Sequence, residues 1–301
     1  MSKEESSQAC LARVFFCIFV SLSQEGLNFY LKSQMNYTGN LKKMSVELDD
    51  PIQYTLNMGE DAINMNELIG SPIVMEYQGV INCKICGRKT SKAFGEGFCY
   101  PHFMNHPANS PCIVKPELCE GHEGKGRDPE WEKANHVQPH VVYLALSSGL
   151  KVGVTRETQV PTRWIDQGAW QAVILAELPY RRLAGELEVA LKEYLSDKTS
   201  WQKMLKNDVD TSIDMLAEKE RVKDLVPTEL REYLSEEDDV WELTYPVEEY
   251  PQKVKSLNFD KVTEVSGVLK GIKGQYLMFE NGQVFNVRRH TGYLTTLKTN
   301  E

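Results

Sequence analysis

The chain has 301 residues, 41% of them hydrophobic and 26% charged, proportions of a globular protein with room for two or three small domains rather than of a disordered or fibrous one. No run of roughly 18 apolar residues occurs, so neither a membrane span nor a membrane partner is expected. A net charge of −9 argues at first against nucleic acid, until its distribution is read.

Residues 207–250 carry 15 Asp/Glu and 4 Lys/Arg, which leaves the rest of the chain at +2, and residues 251–301 hold 8 Lys/Arg against 4 Asp/Glu. A nucleic-acid partner, DNA or RNA, therefore stays open, as does a protein partner. There are 7 Cys and 6 His, and five of each fall between positions 83 and 140. Such clustering points to metal rather than to disulfides, and so to a reducing, cytoplasmic compartment.

Residues 1–34 stand apart. "CLARVFFCIFVSLS" has the apolar character of a signal peptide, but the acidic "MSKEESSQ" precedes it and no small-residue cleavage site follows. The segment is expected to be an over-extended start, with a loosely docked arm or a true signal as alternatives; Cys10 and Cys17 show no partner pattern. Residues 35–80 read as β structure, with turns at Asp-Asp-Pro and Gly-Ser-Pro.

Residues 81–140 are the Cys/His region. "CKICGRKTSKAFGEGFCYPH" places Cys83, Cys86, Cys99 and His102 as two short pairs a dozen residues apart. Each pair can turn two ligands toward one ion, which suits tetrahedral Zn²⁺. Four protein ligands leave no open position, so this zinc is expected to be structural; His106 is the alternative to His102. A looser set, Cys112, Cys119, His136 and His140, forms a candidate second zinc site in which His122 competes for a place.

Residues 141–205 form a compact α/β stretch in the order β-β-α-β-α. "HVVYLAL" and "LKVGVT" read as a hairpin, "QVPTRWIDQG" as a short helix, "AVILAEL" as a third strand and "YRRLAGELEVALKEYL" as an amphipathic helix. On that helix Glu188 falls at the rim of the apolar stripe, where a carboxylate can look into a cleft, whereas Glu186 falls on the polar face. Residues 206–245 read as an acidic, solvated helical connection. Residues 246–301 return to β structure, with a hairpin turn at Asn281-Gly282. The two β-rich flanks are expected to join into one small barrel-like domain. Lys270, Lys273, Arg288, Arg289 and His290 would give it a phosphate-facing edge, and Tyr276, Phe279 and Phe285 a stacking surface.

Within this order, residues 142–191 resemble a divergent GIY-YIG nuclease domain. "VVY" ends at Tyr143, "KVG" ends at Gly153, Arg163 lies on the first helix and Glu188 on the second. The resemblance implies Tyr143 near an attacking water, Arg163 on a phosphate, and Glu188 holding Mg²⁺ or Mn²⁺. Lys151 stands where that family has a tyrosine, so an active and a degraded centre are both open, with Lys151 contributing charge. The wider pattern, carried by "CKICGRKT", "CIVKPELC", "RDPEW", "VVYLALSSGLKVGVTR", "PTRWIDQGA" and "DKTSW", is similar to a bacterial family of unknown function over about residues 37–290.

The expectation is an α+β fold with one or two structural zinc ions, a GIY-YIG-like α/β domain and flanking β segments. Its expected activity is that of a nucleic-acid-interacting, divalent-metal-dependent phosphodiesterase, active or degraded. A non-enzymatic zinc-stabilised module for RNA, DNA or a protein is the alternative.

Overall fold

The computed structural model describes residues 34–196 and 200–300; the expected N-terminal extension, with Cys10 and Cys17, falls outside the described residues. Strand β1 (Gln34–Asn40) is followed by β2 (Ser45–Glu47), β3 (Gln53–Met58), β4 (Asp61–Asn64), β5 (Pro72–Asn82) and β6 (Lys89–Thr90). Helices α1 (Tyr100–Asn105) and α2 (Pro129–His136) then frame the Cys/His region. Next come β7 (His140–Leu146), β8 (Leu150–Arg156), α3 (Thr162–Asp166), β9 (Gln171–Leu178) and α4 (Arg181–Leu191). After these follow α5 (Trp201–Leu205), α6 (Met215–Lys223), β10 (Trp241–Glu242) and β11 (Lys255–Leu257). The last strands are β12 (Glu264–Lys273), β13 (Tyr276–Phe279), β14 (Gln283–Asn286) and β15 (Tyr293–Asn300).

Over residues 140–191 the observed element order is the β-β-α-β-α read from the sequence, and α5 adds a further helix ending at Leu205. β7 pairs antiparallel with β8 and with β9, and β10 adds to the outer edge of β9. β7 is buried at every position, and its period of two decides where each side chain goes. Val142, Leu144 and Leu146 enter a core with Leu187 and Leu191 of α4 and Met215 and Val222 of α6. Tyr143 and Ala145 face the other way, into a core shared with the β-rich part.

The two β-rich flanks meet. β5 lies between β15 and β12, and β1 pairs with β15, so the two flanks build one eight-stranded sheet, β1-β15-β5-β12-β13-β14-β11 with β6 on β5. The expected barrel is not formed: the sheet ends at β1 and β11, which do not pair, and it stays open. Its apolar face is covered by a separate sheet, β2-β3-β4, whose Tyr54, Leu56 and Met58 pack with Ile73, Met75 and Leu269. Once a second layer buries that face, closure is not needed to remove it from water.

Two further expectations are corrected. The acidic connection is not simply solvated: Met215, Val222, Val226 and Leu230 are core residues, and Lys219 is buried, donating to the Glu237 carbonyl and to Asp238 Oδ1 (3.0 Å). The C-terminal stacking surface does not form, because Phe279 and Phe285 are buried and Tyr276 stacks on Trp201, and the expected phosphate-facing edge loses Lys273 and His290, which are buried as well. Phe285 stacks on His290 at 4.3 Å between ring centres. No helix among the described residues is long and apolar enough to cross a membrane.

Candidate functional site

The first thiolate group is built by two turns. Cys83 directly follows β5, and Gly87, at φ +69°, lets the chain return so that its N–H donates to the Cys83 carbonyl (2.8 Å). Cys99 precedes α1, whose first turn presents His102. The ligand atoms of Cys83, Cys86, Cys99 and His102 lie within 4.8 Å of one another. Bond lengths near 2.3 Å to sulfur and 2.0 Å to nitrogen imply a sulfur–nitrogen edge of roughly 3.5 Å around tetrahedral zinc. His102 Nδ1 lies 3.4 Å from both Cys83 Sγ and Cys99 Sγ, so the donor set fits that ion. Burial pushes the Cys83 thiol up, but the N–H groups of Cys86, Cys99 and Ile85, with His102, outweigh it and bring it down to about 6. His106 stays out of the group: its Nδ1 accepts from the Ala108 N–H and its ring packs edge-on to His102.

The second group brings together Cys112, Cys119 and His136, but its fourth member is Glu132, not His140. Glu132 and His136 are one turn apart on α2, so they share a face, and their side chains are in direct contact. His136 Nδ1 lies 3.5 Å from Cys119 Sγ and 3.9 Å from Cys112 Sγ, and Ser110 Oγ donates to Glu132 Oε1 (3.3 Å). All four residues are buried, and the set could hold zinc, with Ser110 orienting the carboxylate from behind. The Cys112 S–H holds Cys119 as the thiolate of the pair, at about 4 and against burial, with His136 assisting. His140 opens β7 instead: its Nδ1 lies 2.7 Å from the Gln138 carbonyl, and its buried Nε2 has no hydrogen-bond partner. His122 stacks on Tyr180, outside the group.

The second group also fixes α4. Arg181 donates from Nε to the Cys112 carbonyl (2.9 Å) and from Nη2 to the Ile113 carbonyl (3.0 Å). A Cβ on Gly185 would sit 2.2 Å from the Glu117 nitrogen, so α4 rests directly on the Cys112–Cys119 loop. The position of Glu188, one turn further along, thus depends on that loop.

Between this region and the α/β unit lies a cleft of about 730 Å³. Arg163 and Gln167 border it from α3 and its C-terminal end, Glu188 from α4, Arg156 from β8 and Trp131 from α2. Two of the expected catalytic residues, Arg163 and Glu188, therefore share one cavity. Glu188 is mostly buried and accepts from Lys192 Nζ (3.2 Å).

Tyr143 and Lys151 lie beneath this surface rather than on it. Both are buried, and both donate to Gln167 Oε1, Tyr143 Oη at 3.0 Å and Lys151 Nζ at 2.5 Å. Burial pushes the Tyr143 hydroxyl up, and the Arg163 guanidinium beside it pulls it back. Their reach to a ligand runs through Gln167. That residue was not singled out from the sequence, where an amide one turn beyond Arg163 on a short helix carries no signal of its own. Glu132 did leave one: its spacing to His136 is that of two ligands on one helical face.

A family model described as "Protein of unknown function (DUF2797)" matches residues 70–295, well over half of the chain. The span runs from the residues just before β5 into β15, and so contains both thiolate groups and the cleft. No curated protein and no solved structure matches the chain.

Proposed function

We propose, for a chain that belongs to the DUF2797 family of proteins of unknown function, that the cleft binds the phosphodiester backbone of a nucleic acid and that its centre is a GIY-YIG-like phosphodiesterase. The observation that carries this reading is the convergence of Arg163 and Glu188 on one cleft floored by Gln167, with Tyr143 and Lys151 fixing that amide from below. Arg163 can clamp a phosphate through two N–H groups. Gln167 can orient a water by its amide, since Tyr143 and Lys151 occupy its oxygen and its NH₂ remains a donor. Glu188 is the residue that would hold Mg²⁺ or Mn²⁺, and a lone carboxylate suits Mg²⁺, which keeps several waters. When bound, such an ion supplies Lewis-acid stabilisation of the developing phosphate charge. Zinc at the two thiolate groups has a structural role here, holding the loop on which α4 rests. Thiolate ligands of this kind are compatible with a reducing, cytoplasmic compartment.

A second reading, a zinc-stabilised binding module without catalysis, is favoured by the Lys192–Glu188 pair and by the burial of Tyr143 and Lys151. One experiment separates the two. Wild type and Glu188→Ala are incubated with a panel of DNA and RNA structures in Mg²⁺ or Mn²⁺, and binding is followed in the same samples. Metal-dependent cleavage lost in Glu188→Ala supports the phosphodiesterase. Binding without cleavage in both proteins supports the module and rejects the enzyme, while the absence of both rejects the phosphodiester reading.

A further inference from the structure

The cleft continues beyond the α/β unit. Lys84, Glu96 and Arg288, on its walls, also wall a second cavity of about 610 Å³. That cavity is bounded by the β1–β2 connection at Lys42, the turn of the first thiolate group at Gly87, and the turn before β15 at Gly292. Across both cavities eight lysines and arginines stand against two glutamates, in a chain whose net charge is −9. Four of the eight are engaged within the fold, Lys43 with Asp166, Lys192 with Glu188, Arg288 with Glu96 and Arg181 with backbone carbonyls. The remaining four, Lys42, Lys84, Arg156 and Arg163, border the two cavities. Where the cavities meet, Glu96 and Arg288 form an ion pair at 2.7 Å.

Four like charges along adjoining hollows repel one another unless an anion lies among them. The anion must be long, because the charges are spread over two cavities and come from four separate segments of chain. Arg163 and Glu188 line the cleft together, so the anion must enter it to reach them. Trp131, half-buried on the cleft wall, adds an aromatic surface of the kind on which unpaired bases stack.

We propose that the two cavities form one track for a single nucleic-acid strand, with Lys42, Lys84 and Arg288 holding phosphates that flank the one at Arg163. The proposal rests on the phosphodiester reading of the cleft for which phosphate is central. The Glu96–Arg288 pair lies in the path, and a bound strand exchanges its carboxylate for a phosphate.

The test is fluorescence anisotropy with labelled single strands of twelve and four nucleotides and a twelve-base-pair duplex, over a salt series, without added Mg²⁺. Wild type is compared with the double variant Lys42→Glu, Arg288→Ala and with Lys42→Glu alone, each checked for retained zinc and melting temperature. Wild type is expected to bind the twelve-nucleotide strand at least about tenfold more tightly than the four-nucleotide strand or the duplex. Removing two phosphate contacts is expected to lower the salt slope by about 1.4, at about 0.7 per single-strand contact, and to weaken the long strand about tenfold while leaving the short one unchanged. If the double variant loses its fold, Lys42→Glu alone is expected to lower the slope by about 0.7.

An unchanged slope, or a duplex bound as tightly as the strand, overturns the track. Cleavage that depends on Glu188 but not on strand length or Lys42 overturns the track and leaves the centre standing. Length-dependent binding without cleavage upholds the track and rejects the enzyme.

Discussion

The Tyr143 ring occupies the space that a side chain at Gly153 would fill. The two residues are paired across β7 and β8, and a Cβ on Gly153 would lie 2.6 Å from Tyr143 Oη and 2.7 Å from Cζ. The glycine therefore sets the height at which the tyrosine hydroxyl reaches Gln167. Gly153→Ala is expected to cost about 1–3 kcal/mol through overpacking, read from urea midpoints. The cost should shrink in a Tyr143→Leu background. An equal cost in both backgrounds would mean that the ring is not what the methyl meets.

Gly185 sets two effects against each other. Alanine is the better helix former by about 1 kcal/mol, but its Cβ would stand 2.2 Å from the Glu117 nitrogen and 2.4 Å from the Pro116 carbonyl carbon. Backbone atoms cannot swing aside as a flexible side chain can, so the clash is expected to win. Gly185→Ala should lower stability by about 1–3 kcal/mol. A stabilised variant would show that α4 does not rest on the loop.

Metal content discriminates between the two candidate fourth ligands of the second group. Elemental analysis is expected to find two zinc ions in wild type and in His140→Ala, and one in Glu132→Ala. The reverse pattern for the two variants would return the site to His140. Because Arg181 anchors α4 to the carbonyls of Cys112 and Ile113, Glu132→Ala should also raise amide exchange in α4, including at Glu188, although no substitution lies in that helix.

Acid lability has a named source in His290. Burial pulls its pKa down to about 4, against the Asn286 carbonyl, and the Phe259 N–H donates to its Nε2 (3.2 Å). The unfolded chain, with a histidine near 6.5, takes up the proton first. Stability from this residue is therefore fully present above about pH 6.5 and is lost as pH falls toward about 4. The linkage amounts to at most about 3 kcal/mol. Urea unfolding from pH 4 to 7 should show this slope in wild type and a shallower one in His290→Gln. Equal slopes would assign the proton uptake elsewhere; His140, also pulled down to about 4 by burial, is the next candidate.

A direct contact with phosphate predicts a geometric requirement at Arg163. A planar guanidinium can offer two parallel donors and an ammonium cannot. Arg163→Lys is expected to weaken oligonucleotide binding about tenfold at unchanged melting temperature. Unaltered affinity would remove Arg163 from the ligand's path.

What the sequence determined by itself was local. The unbroken apolar run of "HVVYLAL", which marks a strand buried on both faces, and the 3.6-residue period of "RRLAGELEVAL" fix how each segment folds, because those preferences act between near neighbours. The spacing of Cys83, Cys86, Cys99 and His102 belongs to the same class, since each ligand pair sits within one turn. The tertiary structure alone decided the rest. The choice of Glu132 over His140 follows from where α2 stops and β7 begins. The open sheet in place of a barrel follows from β2-β3-β4 covering its inner face. The role of Gln167 follows from Tyr143 and Lys151 arriving beneath it from two other strands. Each of these depends on contacts between segments far apart in the chain, and no periodicity or spacing within one segment encodes which distant surface will bury it.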